Sequence, residues 1–75
     1  MNQVSVSKNL GKDIGERVRA IRIKIGLSQD RLSKLADLSL NTIVNIESGL
    51  NSNPTVDTLI KIANGLNVSM DSLIK

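Results

Sequence analysis

The sequence predicts a compact all-α domain of five short helices, and three observations carry that prediction. Apolar residues recur at three- and four-residue steps through most of the chain, whereas strand-like alternation is confined to the brief Val-Ser-Val-Ser run of residues 4–7. Ser28, Ser39, Thr55 and Ser69 each stand just ahead of a periodic run, where a hydroxyl caps free backbone N–H groups. Gly26, Asp37, Gly49 and Asn67 each stand just after one, and glycine or a short acidic or amide residue tolerates the left-handed turn that ends a helix. Seventy-five residues allow one domain. Without aromatic residues its core must be Ile, Leu, Val and Ala, and so small a core gives modest stability unless the chain dimerises.

Taken in order, residues 1–9 are polar and aperiodic and read as a flexible N-terminal arm, with Lys8 and Lys12 in reach of a phosphate backbone. Residues 10–75 form the folded domain. Helix 1 runs from Leu10 or Lys12 to Ile25, because Leu10, Ile14, Val18, Ile21 and Ile25 share one face. Gly11 and Gly15 weaken its start, Gly26 stops it, and Leu27 folds back on the last turn. Lys12, Glu16, Arg17, Arg19 and Lys24 make its solvated face. Helix 2 follows Ser28 with Leu32, Leu35 and Ala36 inward; Asp37 leaves it, and Leu38 plugs the turn. Helix 3 follows Ser39 with a narrow inward stripe of Ile43 and Ile46. A loop from Leu50 to Pro54 leads to helix 4, Val56 to about Leu66, burying Val56, Leu59, Ile62, Ala63 and Leu66. Helix 5 carries Met70, Leu73 and Ile74, more apolar surface than a short helix needs. The surplus, with Ile60, reads as a homodimer seam of Ile60, Met70 and Ile74; the alternative is that Met70 and Leu73 only close the monomer core.

Composition excludes much chemistry. With no Cys there are no disulfides or thiolate-ligated zinc, and with no His the usual general bases and Cys–His pairs are missing, so an enzyme is not expected, nor is a metal, a cofactor or a small-molecule ligand. No apolar run approaches membrane-spanning length and MNQVSVSKN lacks an apolar signal core, which makes a cytoplasmic protein the expectation. The net charge of +3 is uneven: residues 1–38 hold eight Lys/Arg against four Asp/Glu, residues 39–75 two against three. That asymmetry suits a phosphate-facing surface. Lack of aromatic residues disfavours a single-strand or RNA-stacking platform.

The informative stretch is residues 29–48, QDRLSKLADLSLNTIVNIES, two short helices joined by a tight turn. Outside the Ile43–Ile46 stripe, helix 3 leaves Leu40, Asn41, Val44 and Asn45 facing out, with Thr42 beside them. A solvated face ordinarily carries Lys and Glu. Two amides and two aliphatics suit base edges instead, since Asn bonds adenine bidentately and aliphatic groups rest on thymine methyls. The alternative is that Leu40 and Val44 are core or dimer contacts and both Asn are ordinary surface.

Residues 14–74 resemble the lambda-repressor-like (Xre, Cro-type) helix-turn-helix family through RVRAIRIKIGLSQDRLSKLADLS, NTIVNIESG and PTVDTLIKIANGLNVSMDSLI, which keep the family's order. The resemblance implies a sequence-specific, double-stranded DNA-binding transcriptional regulator: a homodimer inserting helix 3 into successive major grooves of a palindromic operator, with half-sites about 34 Å apart. It makes Leu40, Asn41, Thr42, Val44 and Asn45 the base readers. It makes Gln29, Ser39, Asn51, Ser52 and Asn53 the phosphate contacts, and sets Arg22 opposite Glu47 as a partly buried ion pair. The chain departs from the family pattern in Ser33 (usually Ala), Asp37 and Asn67 (often Gly), and in an uncharged 50–54 loop where relatives commonly hold Lys or Arg. Relatives of this kind also serve as antitoxins or co-activator bridges, so a protein-facing patch of Leu40, Val44, Leu50 and Ile74 is the rival reading.

Overall fold

The computed structural model describes residues 3–74, with side chains described from Asp13 onward. Five helices follow one another: α1 (Gln3–Lys24), α2 (Gln29–Ala36), α3 (Leu40–Glu47), α4 (Val56–Leu66) and α5 (Met70–Ile74). α1 opens at Gln3 instead of at Leu10 or Lys12, so from Gln3 on the segment expected to be an arm is helical backbone. Residues 3–9 contain no Pro or Gly to stop a helix, and the apolar periodicity by which the sequence marks a helix begins only at Leu10. The side chains of Lys8, Leu10 and Lys12 lie outside the described residues.

Local chemistry sets the boundaries that follow. Ser28, Ser39 and Thr55 accept the N–H of Arg31, Thr42 and Thr58 on their hydroxyls at 3.0, 3.1 and 3.1 Å. α1 ends as the turn at Gly26 (φ 79°) requires: Leu27 N–H donates to the Arg22 carbonyl and Gly26 N–H to that of Ile23, each at 3.0 Å. Asp37 and Asn67 take the same left-handed conformation (φ 57° and 58°) after α2 and α4, with Leu38 and Val68 donating back to Ser33 and Ala63. These are two positions where the family resemblance leads one to expect glycine. Both residues keep the turn.

The helices enclose one aliphatic core of Ile14, Val18, Leu32, Ala36, Ile43, Ile46, Leu59, Ile62, Ala63, Leu66 and Leu73. α2 packs chiefly on α4, α1 on α3 and α5, and α3 also on α2. Leu38 and Met70 are half-buried against this core. Three residues expected inside are exposed. Ile25 lies past the end of α1, where the Gly26 turn carries it outward. Leu35 sits roughly 100° around α2 from the centre of the inward stripe, because Ser33 is buried beyond Ala36 and shifts that stripe away from Leu35. Val56, 66 % exposed, is the first residue of α4 and overhangs the flank of the Leu59–Ile62–Ala63–Leu66 stripe. Among the described residues, no helix is long and apolar enough to cross a membrane and no group of three or more acidic residues is placed to hold a metal ion.

Gly15 has a role that its low helix propensity obscures. A Cβ there would run into the backbone carbonyl oxygen of Ile46, so α1 and the end of α3 approach closely only because position 15 has no side chain. Gly65 is similar on α4, where a Cβ would meet the Ala36 nitrogen and Leu32 Cδ1 at 3.1 Å. Gly15→Ala should therefore destabilise the domain by about 1–3 kcal/mol, although alanine is the better helix former. A thermal melt followed by circular dichroism checks this, and a melting temperature equal to or above that of the parent would refute the close-approach argument.

Candidate nucleic-acid interface

α2 and α3 hold a tight angle through the Asp37 turn, and the capping of α3 fixes where its first residues point. Ser39 Oγ accepts from Thr42 N–H and also lies 2.8 Å from Thr42 Oγ1. Thr42 is half-buried, and that hydroxyl pair leaves its methyl as the group most available to a ligand. α3 turns Ile43, Ile46 and Glu47 inward. Leu40 and Val44 remain exposed, at 43 % and 37 %, Asn41 is exposed and Asn45 half-buried. Neither of these two asparagine amides has a hydrogen-bond partner among the described residues. The stretch after α3 is held at its base, because Asn51 N–H donates to the Asn45 carbonyl at 3.0 Å. Asn51 Oδ1 in turn accepts from Asn53 N–H at 3.1 Å, while Ser52 and Asn53 are exposed and Leu50 reaches 79 % exposure.

Behind this face, Arg22 and Glu47 meet. Arg22 Nε donates to Glu47 Oε2 at 2.6 Å and Nη2 to Oε1 at 2.9 Å, a two-pronged pair whose side chains are only 11 % and 2 % exposed. Arg22 Nη1 donates to the Leu27 carbonyl at 2.8 Å, and Gln29 Nε2 to Glu47 Oε1 at 3.1 Å. Among the described residues no buried side-chain nitrogen or oxygen is left without a partner. The hydrogen bond to Glu47 is the main cause that raises the Arg22 pKa above arginine's ordinary value, against the opposing effect of burial. The guanidinium is charged at any ordinary pH.

Gln29 was expected to face phosphate, and it is half-buried with one amide N–H given to Glu47. The second amide N–H and the N–H groups that open α2 remain for an outside anion. Arg17 and Arg19, assigned to the solvated face of α1, do more than that. Arg17 Nη1 donates to the Ile74 carbonyl and so holds the end of α5, where a cation suits the helix dipole. Arg19 borders a shallow cavity of about 200 Å³ with Gln29, Val44, Glu47 and Ser48, and has no ion-pair partner among the described residues. No local sequence signal reveals these contacts, because each joins residues far apart in the chain. On α4 and α5, Ile60 and Ile74 are exposed and Met70 is half-buried.

The family model described as helix-turn-helix matches residues 18–73. Among solved structures, the restriction-modification controller protein C.AhdI from Aeromonas hydrophila is 30 % identical and superposes with a TM-score of 0.80, over 88 % of this chain and 97 % of that one. A single-substitution mutant of the restriction-modification controller protein C.Esp1396I is also 30 % identical, with a TM-score of 0.76 over 80 % of this chain and 77 % of that one. No curated protein matches the sequence.

Removing Arg22 strands the Glu47 carboxylate in a site where it cannot be solvated. Arg22→Met should cost about 3–5 kcal/mol, most of the stability of so small a domain. Arg22→Lys, which keeps the charge and loses the two-pronged geometry, should fall between. Thermal melts of the three proteins check the order, and an unchanged melt for Arg22→Met would count against the lock.

Proposed function

The chain belongs to the lambda-repressor-like helix-turn-helix family, and from that premise we propose a sequence-specific regulator of transcription whose homodimer reads a palindromic operator, one α3 in each of two successive major grooves. What carries this reading is the outward face of α3, where two unpartnered amides lie beside two exposed aliphatic side chains. Asn41 and Asn45 read base edges, and Leu40, Thr42 and Val44 supply apolar contact.

Phosphate contacts set the register. Gln29 offers its free amide N–H with the backbone N–H groups opening α2, and Asn51, Ser52 and Asn53 offer neutral donors from the loop. Ser39 offers its hydroxyl proton whenever Thr42 donates within their pair. Arg19, unpaired and at the rim of α3, adds the cation that the uncharged loop lacks. Ile60, Met70 and Ile74 form the seam between the two copies, on the exposure of the first and last. The two solved relatives are named as restriction-modification controllers, and they support a regulatory role of the same kind.

Asn41→Ala should flatten discrimination between operator variants by about 1–3 kcal/mol at one base pair, whereas Gln29→Ala should weaken every site nearly alike. Gel shifts on a panel of single-base variants separate the two, and identical behaviour of both mutants would contradict the assigned roles. Salt decides between DNA and an apolar protein partner docking on Leu40, Val44 and Leu50. If Arg19 of each copy neutralises one phosphate, log affinity should fall against log salt with a slope of about −2 or steeper. A flat dependence would favour the protein-docking module.

A further inference from the structure

We infer that α3 reads A·T base pairs and that thymine methyl groups are a principal part of what it recognises, so that the operator half-site is A·T-rich where α3 faces it. The inference rests on the DNA-reading role proposed above and goes on to the chemistry of the sequence that is read. The one charged residue of α3 is Glu47, and its carboxylate is buried and fully engaged by Arg22 and Gln29. The exposed face therefore offers no cation for the paired acceptors of guanine and no free carboxylate for the cytosine amino group.

What it does offer is ordered in two adjoining strips. Leu40 and Val44 stand one helical turn apart, about 6 Å along the axis, and form the aliphatic strip. Asn41 and Asn45 are displaced roughly 100° around the helix from those two and form the amide strip. Across the major groove an A·T pair presents the same two chemistries side by side: the thymine C5-methyl, and the adenine N6 donor next to its N7 acceptor. An unpartnered asparagine amide matches the adenine edge with one donor and one acceptor, and a neighbouring leucine or valine covers the methyl. The hydroxyl of Thr42, which would serve any base, is already engaged with Ser39. Arg19 stands on α1, outside the two-helix motif and at the rim of the face beside Gln29, the first residue of the helix that crosses the backbone in such motifs, so its guanidinium meets phosphate.

Selection of bound duplexes from a random pool with the full chain should enrich half-sites with A·T pairs at the positions contacted by α3. On the enriched site, replacing those thymines by deoxyuridine removes only the methyl groups, and should weaken binding about fourfold per contacted thymine, the equivalent of one buried CH₂. Val44→Ala, at an exposed position that the core does not need, should shrink the thymine-over-uracil preference at the thymine Val44 faces and leave that of Leu40 in place. G·C pairs at the α3-facing positions, or uracil duplexes that bind as well as thymine duplexes, would overturn the inference while leaving sequence-specific DNA binding intact. A pool from which no sequence is enriched would overturn both.

Discussion

The buried carboxylate of Glu47 is the constraint on which the working geometry rests. It collects two hydrogen bonds from Arg22 at the end of α1 and one from Gln29 at the start of α2, so three helices are tied at one point. Arg22 also holds the Leu27 carbonyl, within the turn that joins α1 to α2. An aliphatic core without aromatic residues tolerates small slides and rotations of its helices, because leucine and isoleucine contacts are not directional. A two-pronged guanidinium–carboxylate pair is directional, and its desolvation is offset only in good geometry. The close approach at Gly15, against the last carbonyls of α3, tightens the same junction. Orientation of α3 is therefore set from behind, chiefly by the buried Arg22–Glu47 pair and the Gly15 contact.

This arrangement frees the front of α3. Ile43 and Ile46 satisfy its demand for burial and Glu47 its anchoring, which leaves Leu40, Asn41, Val44 and Asn45 with nothing to do inside the molecule. The outward face is neutral, while Arg19, without an ion-pair partner among the described residues, stands at its rim on a different helix. The neutral face and the cation beside it thus stand on different elements. Gln29 faces both ways, with one amide proton on the internal lock and the other available outside.

The second half of the chain supports the first. α4 backs α2 across the close contact at Gly65, and α5, only five residues long, is retained by the fully buried Leu73 and by the Arg17 guanidinium on its last carbonyl. These helices pack on α1, on α2 and on each other. Ile60 and Ile74 remain exposed.

How much was legible in the sequence follows from how far apart the interacting residues lie. Ser28, Ser39 and Thr55 announce helix starts, and Gly26, Asp37 and Asn67 announce stops, because capping and left-handed turns are decided within about five residues. Most of the core stripe of α4 and the outward placement of Asn41 and Val44 follow from the same short-range periodicity. The exposure of Leu35 and Val56 did not, since a stripe in sequence has a breadth that only the packed neighbour trims. The pairing of Arg22 with Glu47, 25 residues away, entered through resemblance alone, and the Gln29 bond to the same carboxylate, the Arg17 hold on α5 and the Arg19 cavity had no signal in the chain. Local capping, turn and periodicity preferences wrote the five helices into the sequence, apart from the first turns of α1. Tertiary packing decided which charges became locks and which glycine became a contact, because those depend on distances between segments that periodicity cannot encode.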